Sequence, residues 1–326
     1  MKRYKNLWDN VVTLRNFKLA FKNATKGKKH YDEVRRCSDI GWERRLNMLR
    51  RKLKDKTYKV SEYHVFTRFT GGKEREIYKL PMMDRIVQHA LMNIIEPLFR
   101  ESFIIDTFSS IKGRGIHQCL KRIKKALKDE DAVYYLKLDI RKCYPSLDKN
   151  ILKEKLHKKF EDKNIQWLLD TIVDSCEKGV PIGNYTSQYF NNFYFNDFDH
   201  WIKEVKGVKY YYRYCDDMII IGKTKEELRT LLEEIRVKIK ELNVTLKDNY
   251  QIYNIDKRSV DFVGYKIRRD YTLIRKHTKK AFIQKVLDMD LDNLHKRDAN
   301  VLGSYWGIFC HADCRNLWCA SCSDLF

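Results

Sequence analysis

The chain has 326 residues, 43% of them hydrophobic, with only 4 prolines and 13 glycines, so it can bury a large core, which excludes a peptide module or a disordered chain. Length points to about two domains. With 66 Lys and Arg against 44 Asp and Glu, a net charge of +22, the expected partners are polyanions, nucleic acid before an acidic membrane surface.

The opening residues MKRYKNLWDNVVTLRNF alternate charged and apolar side chains and lack the continuous apolar stretch of a signal peptide. No run approaches the roughly 20 apolar residues of a membrane helix. The nine cysteines, an odd number, fit reduced thiols, so a cytoplasmic location without a membrane partner is expected. Residues 1 to 55 read as helical and basic, with Leu46, Leu49 and Leu53 at helical spacing; their charge suits a solvated face and a nucleic-acid contact equally. From Tyr58 to Leu80 the pattern alternates around Gly71-Gly72, a hairpin signal carrying Arg68, Lys73, Arg75 and Lys79. DRIVQHALMNIIEPLF reads as a buried helix in which His89 is a packed core residue.

After a KGRG loop and the basic helix HQCLKRIKKALKD, the segment AVYYLKLDI reads as a buried strand ending in Asp139. Two short helices are expected over residues 148–176. A Gly/Pro-marked turn and an aromatic helix follow in GVPIGNYTSQYFNNFYF. YYYRYCDDMIII then predicts a β-hairpin with Asp216 and Asp217 at its tip. KTKEELRTLLEEIRVKIKELN places Leu228, Leu231, Leu232, Ile235, Ile239 and Leu242 on one helical face. VDFVGYKI reads as one further strand, and the remainder as basic and helical.

Taken alone, Asp216-Asp217 is a solvated turn. If its strand neighbours the one ending at Asp139, three carboxylates converge, repel one another and need a compensating cation. A pair of divalent ions roughly 3.5–4 Å apart is the usual answer in phosphoryl transfer, and carboxylate oxygens suit Mg²⁺.

Lys73-Glu74-Arg75, the strand ending at Asp139, GVPIGNYTSQ, Tyr214-Cys215-Asp216-Asp217 and FVGYKI, in this order, resemble the motifs of reverse transcriptases from about Lys73 onward. The resemblance implies an α+β right-hand polymerase: fingers, a palm with an antiparallel sheet backed by helices, and a short helical thumb. The implied divisions are residues 1–85 for N-terminal helices and fingers hairpin, 86–141 for the first palm segment, 142–178 for further fingers, 179–267 for the second palm segment and 268–326 for the thumb. It implies RNA-directed DNA synthesis by two-metal-ion nucleotidyl transfer. Asp139, Asp216, Asp217 and the carbonyl of Ile140 would hold two Mg²⁺ ions, with Mn²⁺ able to substitute. Lys73, Arg75 and the main-chain N–H groups of Lys142 and Cys143 would hold the incoming dNTP, and Tyr144 would gate against a ribose 2′-OH. Ile182, Gly183 and Gln188 would form the template-gripping, fidelity-setting loop.

Most reverse transcriptases carry Gln-Gly where this chain has Ile182-Gly183. That departure, with SYWGIFCHADCRNLW, resembles the reverse transcriptases of diversity-generating retroelements. These copy a template RNA into cDNA, misincorporate opposite its adenines and work with a small basic accessory protein oligomer. Some phage-defence reverse transcriptases share the apolar alternative. The stretch after FVGYKI is too short for both the maturase segment and the nuclease of group II intron proteins, and the Val-Thr-Gly thumb signature of retrons is absent. A non-catalytic RNA-binding protein with a degenerate palm is the alternative from another class, and the three intact acids and Tyr144 speak against it. The leaving-group acid that many relatives place after the amphipathic helix is unassigned, between an early Lys247 and Tyr250. Cys310, Cys314, Cys319 and Cys322, with His311, have the paired look of a zinc site, but Cys310 and Cys314 also fit one apolar helical face, and packed thiols are the reading adopted.

Overall fold

The computed structural model describes residues 2–28, 30–39, 41–70, 72–290 and 295–322, the side chains of Thr70 and Lys73 excepted. The chain divides into two compact units. One comprises Met1–Ser110, Ile140–Lys206 and Ile235–Leu246, the other Ile111–Asp139, Gly207–Glu234 and Lys247–Phe326. Among the described residues no helix is long and apolar enough to cross a membrane.

The first unit is built on the helix Met82–Ser102, whose Ile86, Val87, Ala90, Leu91, Ile95 and Phe99 are buried. Apolar residues recurring at three- and four-residue intervals give this helix its core face. Helices Leu14–Thr25 and Tyr185–Tyr194 pack against it. Phe99 stacks edge-on against Phe160 at 5.3 Å and tilts against Phe193 at 5.0 Å, so three chain segments share one aromatic centre.

Helix starts here follow their capping residues. Asp148 accepts from the backbone N–H of Asn150 and Ile151 to begin Lys149–Lys159. Asp162 does the same for Lys163–Asp174, while its second oxygen accepts from Leu7 and Trp8 N–H at 2.8 and 2.9 Å, fastening the N-terminal segment. His89 lies with its ring on Tyr185, centroids 4.3 Å apart, and burial pushes its imidazole down to about 4, as befits a packed neutral histidine. The expected hairpin forms from His64–Thr70 and Lys73–Lys79.

In the second unit the strands run antiparallel in the order Tyr210–Tyr214, Asp217–Gly222, Tyr134–Asp139, Gln251–Asn254. Leu136, Leu138, Met218, Ile219 and Ile220 are nearly or fully buried, the continuous apolar run of an interior strand pair. The amphipathic helix Lys225–Lys240 buries the face that its spacing predicts.

VDFVGYKI is two strands, not one. Val260–Phe262 turns back at Val263 and Gly264, both at positive φ (44° and 94°), to pair as Tyr265–Ile267, and Thr272–Ile274 adds a third strand. Gly264 offered the turn signal, but an apolar β-branched residue beside it concealed the left-handed turn. The C-terminal helices gather Phe282 between Phe309 (4.6 Å) and Trp318 (5.1 Å). Cys310 and Cys314 do not share a helical face: Cys310 caps the end of Lys296–Phe309, exposed, and Cys314 is buried just before Arg315–Cys322.

Arg269 locks this unit. Its guanidinium donates to Asp256 Oδ1 at 2.7 Å, to the Leu127 carbonyl at 2.6 Å and to the Ala132 carbonyl at 2.7 Å, closing the loop that leads into the strand Tyr134–Asp139. Because a planar fork serves three acceptors on separate segments, Arg269→Lys should not rescue what Arg269→Ala loses. Both are expected to lower unfolding free energy by about 2 kcal/mol in urea denaturation, and a change below about 0.5 kcal/mol in either would contradict the clamp.

Candidate active site

The acids sit where strand register puts them. Asp139, the last residue of its strand, pairs across the ladder with Asp217, and Asp217 pairs on its other side with Tyr214. Cys215 and Asp216 form the two-residue turn, with Cys215 at φ 59°, a left-handed conformation that few non-glycine residues adopt. Beneath the turn the buried guanidinium of Arg213 donates to the Cys215 carbonyl at 3.0 Å. A strained turn thus has a charged hydrogen bond holding it.

The electrostatics are those of a site short of positive charge. Burial raises the Asp216 carboxyl above its ordinary value, and Asp139 nearby raises it further. Burial, then Asp216, push the Asp217 carboxyl up to about 6. Asp139 Oδ2 forms an ion pair with Lys247 Nζ, and the Lys247 N–H donates to the Asp139 carbonyl at 2.8 Å. The lysine that the spacing left unassigned is therefore bound to the first acid. Asp139 Oδ1 is buried and has no hydrogen-bond partner.

No three His, Cys, Asp or Glu side chains among the described residues already stand as a metal cage. The donor set nonetheless fits a hard divalent cation: three carboxylates within each other's field, two of them resisting ionisation, and one oxygen without a partner.

The remaining candidates belong to the first unit. Ile140 is buried and bridges Leu246, and Lys142, at φ 45°, caps the one-turn helix Cys143–Ser146. The left-handed Lys142 lets the chain turn sharply after the strand. Cys143 Sγ lies 3.0 Å from Asn191 Oδ1, and Tyr144 is half-buried. The Tyr144 carbonyl accepts from Val180 N–H at 3.0 Å. A Cβ on Gly179 (φ 57°) would fall 2.2 Å from that same oxygen, so only glycine permits this approach.

A second glycine repeats the device. The Ile182 carbonyl accepts from Tyr78 N–H at 2.8 Å, and a Cβ on Gly183 (φ 131°) would fall 2.4 Å from the Tyr78 carbonyl. Tyr144, the loop Gly179–Gly183 and the hairpin strand Lys73–Lys79 are thus brought together. Ile182 is half-exposed and Gln188 exposed on the helix that follows. Arg75 is exposed and stands directly across from Arg68, a like-charged pair that disfavours the bare hairpin and favours a bound anion. The Lys73 side chain lies outside the described residues. Arg213, Gly179, and Lys247 as partner of Asp139 were not identified from sequence; Gly179 beside a Val-Pro pair was the one visible signal.

Fold and site together define the palm of a right-hand nucleic-acid polymerase. Residues 68–267, more than half of the chain, match the reverse transcriptase (RNA-dependent DNA polymerase) family, and the chain belongs to that family. It is similar to Protein YkfC of Escherichia coli (strain K12), 21% identical over 311 residues, which cover 81% of this chain and 80% of that protein. Among solved structures it resembles apo telomerase from Candida tropicalis, with a TM-score of 0.54 and 14% identity, over 78% of this chain and 53% of that one. Telomerase from Candida albicans, in complex with a TWJ fragment of telomeric RNA, superimposes with a TM-score of 0.52 at 13% identity, over 83% of this chain and 56% of that one. The chain spans just over half the length of these telomerases, and the likeness shows a shared α+β right-hand fold. The protein is a reverse transcriptase, an RNA-directed DNA polymerase by family.

Asp217 makes the electrostatic reading measurable. Its carboxyl titrates at about 6 when folded against an ordinary 3.8, so the ionised form destabilises the fold at neutral pH and that stability returns as pH falls from 6 towards 3.8. Asp217→Asn should abolish primer extension. Without divalent ions at neutral pH it should also raise unfolding free energy by roughly 1–3 kcal/mol, the half-buried tip being partly screened by solvent. The gain should fade as the solution is acidified towards 4. A variant no more stable than the parent in neutral urea denaturation would contradict the desolvated cluster.

Proposed function

We propose that the protein copies a template RNA into cDNA, with errors concentrated opposite template adenines, as the reverse transcriptases of diversity-generating retroelements do. The observation that carries this reading is Ile182. It is half-exposed in a loop pinned to the fingers hairpin through Tyr78, at the place where most resembling enzymes have Gln. A Gln amide donates and accepts near a nascent base pair, whereas Ile does neither and has a stiff χ1. With the positioning contact gone, a correct pair loses part of its kinetic advantage over a wrong one. Templates that pair through two hydrogen bonds, adenine and uracil, lose most, and the resemblance singles out adenine between them.

In this reading Asp139, Asp216, Asp217 and the Ile140 carbonyl hold two Mg²⁺ ions, which supply activation of the primer hydroxyl and neutralisation of the departing pyrophosphate. Lys247, bound to Asp139, keeps a positive charge at the carboxylates. Lys73 and Arg75 hold the triphosphate of the dNTP, with the N–H groups of Lys142 and Cys143, and the Tyr144 ring fills the space of a 2′-OH. Template RNA, primer and cDNA are the nucleic-acid partners. A small basic oligomeric protein is the accessory partner, and the cytoplasm the place of action.

Two substitutions test this. Ile182→Gln should lower misincorporation opposite adenine more than opposite the other bases when one RNA containing all four is copied, with the accessory partner supplied, and the cDNA sequenced. An adenine error rate equal to the parent's would remove Ile182 as the source. Tyr144→Ala should admit ribonucleotides in single-nucleotide extension, and unchanged sugar selectivity would end its assignment as the gate.

A further inference from the structure

Buried polar atoms without partners are few in folded proteins, and each is costly unless something answers it. Eight side-chain atoms among the described residues are in this state, and five belong to two short segments, 84–88 and 184–187. They are Asp84 Oδ2, Gln88 Nε2, Asn184 Oδ1, Thr186 Oγ1 and Ser187 Oγ, on side chains at most 4% exposed. Both segments seat the template loop. Gln88 Oε1 accepts from Tyr185 N–H at 3.0 Å, so the first N–H of the helix Tyr185–Tyr194 is capped by a residue of the helix Met82–Ser102. Asn184, at the position where an Asn normally caps its own helix, makes no cap bond; its amide lies 2.8 Å from Tyr63 Oη instead.

The loop is therefore held unequally. Towards the hairpin it is fixed, by the Ile182–Tyr78 hydrogen bond and by Gly183 against the Tyr78 carbonyl. Towards the helix it rests on polar groups with unused hydrogen-bonding capacity, and a small shift there gives up little. From this we infer that Gln88, Thr186 and Ser187 are positioning residues for the nascent base pair, and that their under-satisfied seat lets the Ile182-Gly183 loop yield to a mismatch. The inference rests on the template-loop role proposed above and assigns fidelity to a buried seat as well as to Ile182.

The test compares three variants with the parent in two readouts: the midpoint of thermal unfolding, and the kcat/KM ratio of wrong to right nucleotide on an RNA template. Thr186→Val with Ser187→Ala removes two unpartnered hydroxyls at nearly constant shape. It should raise the midpoint and lower the wrong-to-right ratio by about threefold or more. Gln88→Met removes the cap and should raise the ratio, whereas Gln88→Glu keeps an acceptor for Tyr185 N–H and should stay within about twofold of the parent. Midpoints that move while every ratio stays at the parent's value would make the seat merely structural and overturn the inference. A lower midpoint in the Val/Ala variant would show that the hydroxyls are paired and would overturn its premise; this variant keeps the test open should Gln88→Met fail to fold. The parent's own error spectrum judges the adenine reading separately, because the variant-to-parent ratio can be read opposite any template base.

Discussion

The repulsion among Asp139, Asp216 and Asp217 is the constraint around which this protein is arranged. An antiparallel register places Asp139 opposite Asp217, and a two-residue turn leaves Asp216 half-buried beside them, so that solvent relieves the repulsion only in part. The sheet could shed this cost by a one-residue slip, but a slip would exchange the two packed faces, trading Leu138, Met218 and Ile220 against Ile219 and Ile221 in sites shaped for the others. Apolar burial along the strands thus enforces an electrostatic arrangement that the acids themselves resist. Lys137 and Lys247 are the positive charges that act on these acids in return, and Arg213 holds the turn that carries them.

That balance has a functional meaning for a reverse transcriptase. In the proposed two-metal reading, carboxylates that resist ionisation in the free protein would gain most from a divalent cation, and stability withheld from the fold would become affinity for the ion. The same trade recurs in the first unit, where Arg68 stands opposite Arg75 on an exposed hairpin. Both places are poor local designs for an isolated protein, and the proposed binding of metal ions and phosphates would relieve them.

Much of this was legible in the sequence because it follows from periodicity and turn chemistry. The strand ending at Asp139, the hairpin around Asp216 and the apolar face of Lys225–Lys240 are local patterns, and the family resemblance rested on them. Contacts set by three-dimensional closure were not legible. Lys247 reaches Asp139 across 108 positions, and counting residues from a motif placed it too early. Gly179 and Gly183 read as loop residues, yet each is required because a carbonyl, of Tyr144 or of Tyr78, lies where a Cβ would be. VDFVGYKI was read as one strand because Val263 at φ 44° contradicts its own propensity. Five unpartnered polar atoms in segments 84–88 and 184–187 leave no trace in composition at all, since Asn184, Thr186 and Ser187 look like an ordinary helix start and Asp84 and Gln88 like ordinary helix residues.

The acidic tip of the second unit is proposed as a working nucleotidyl-transfer site and not a relic on an RNA-binding scaffold. The most direct measurement is extension of a DNA primer annealed to RNA by the full chain, with Mg²⁺ titrated from zero and RNA binding followed in the same samples. Extension with deoxynucleotides that rises to saturation with Mg²⁺, while RNA affinity stays almost constant, is the result this account predicts. RNA held firmly at every Mg²⁺ concentration with no nucleotide added would contradict it.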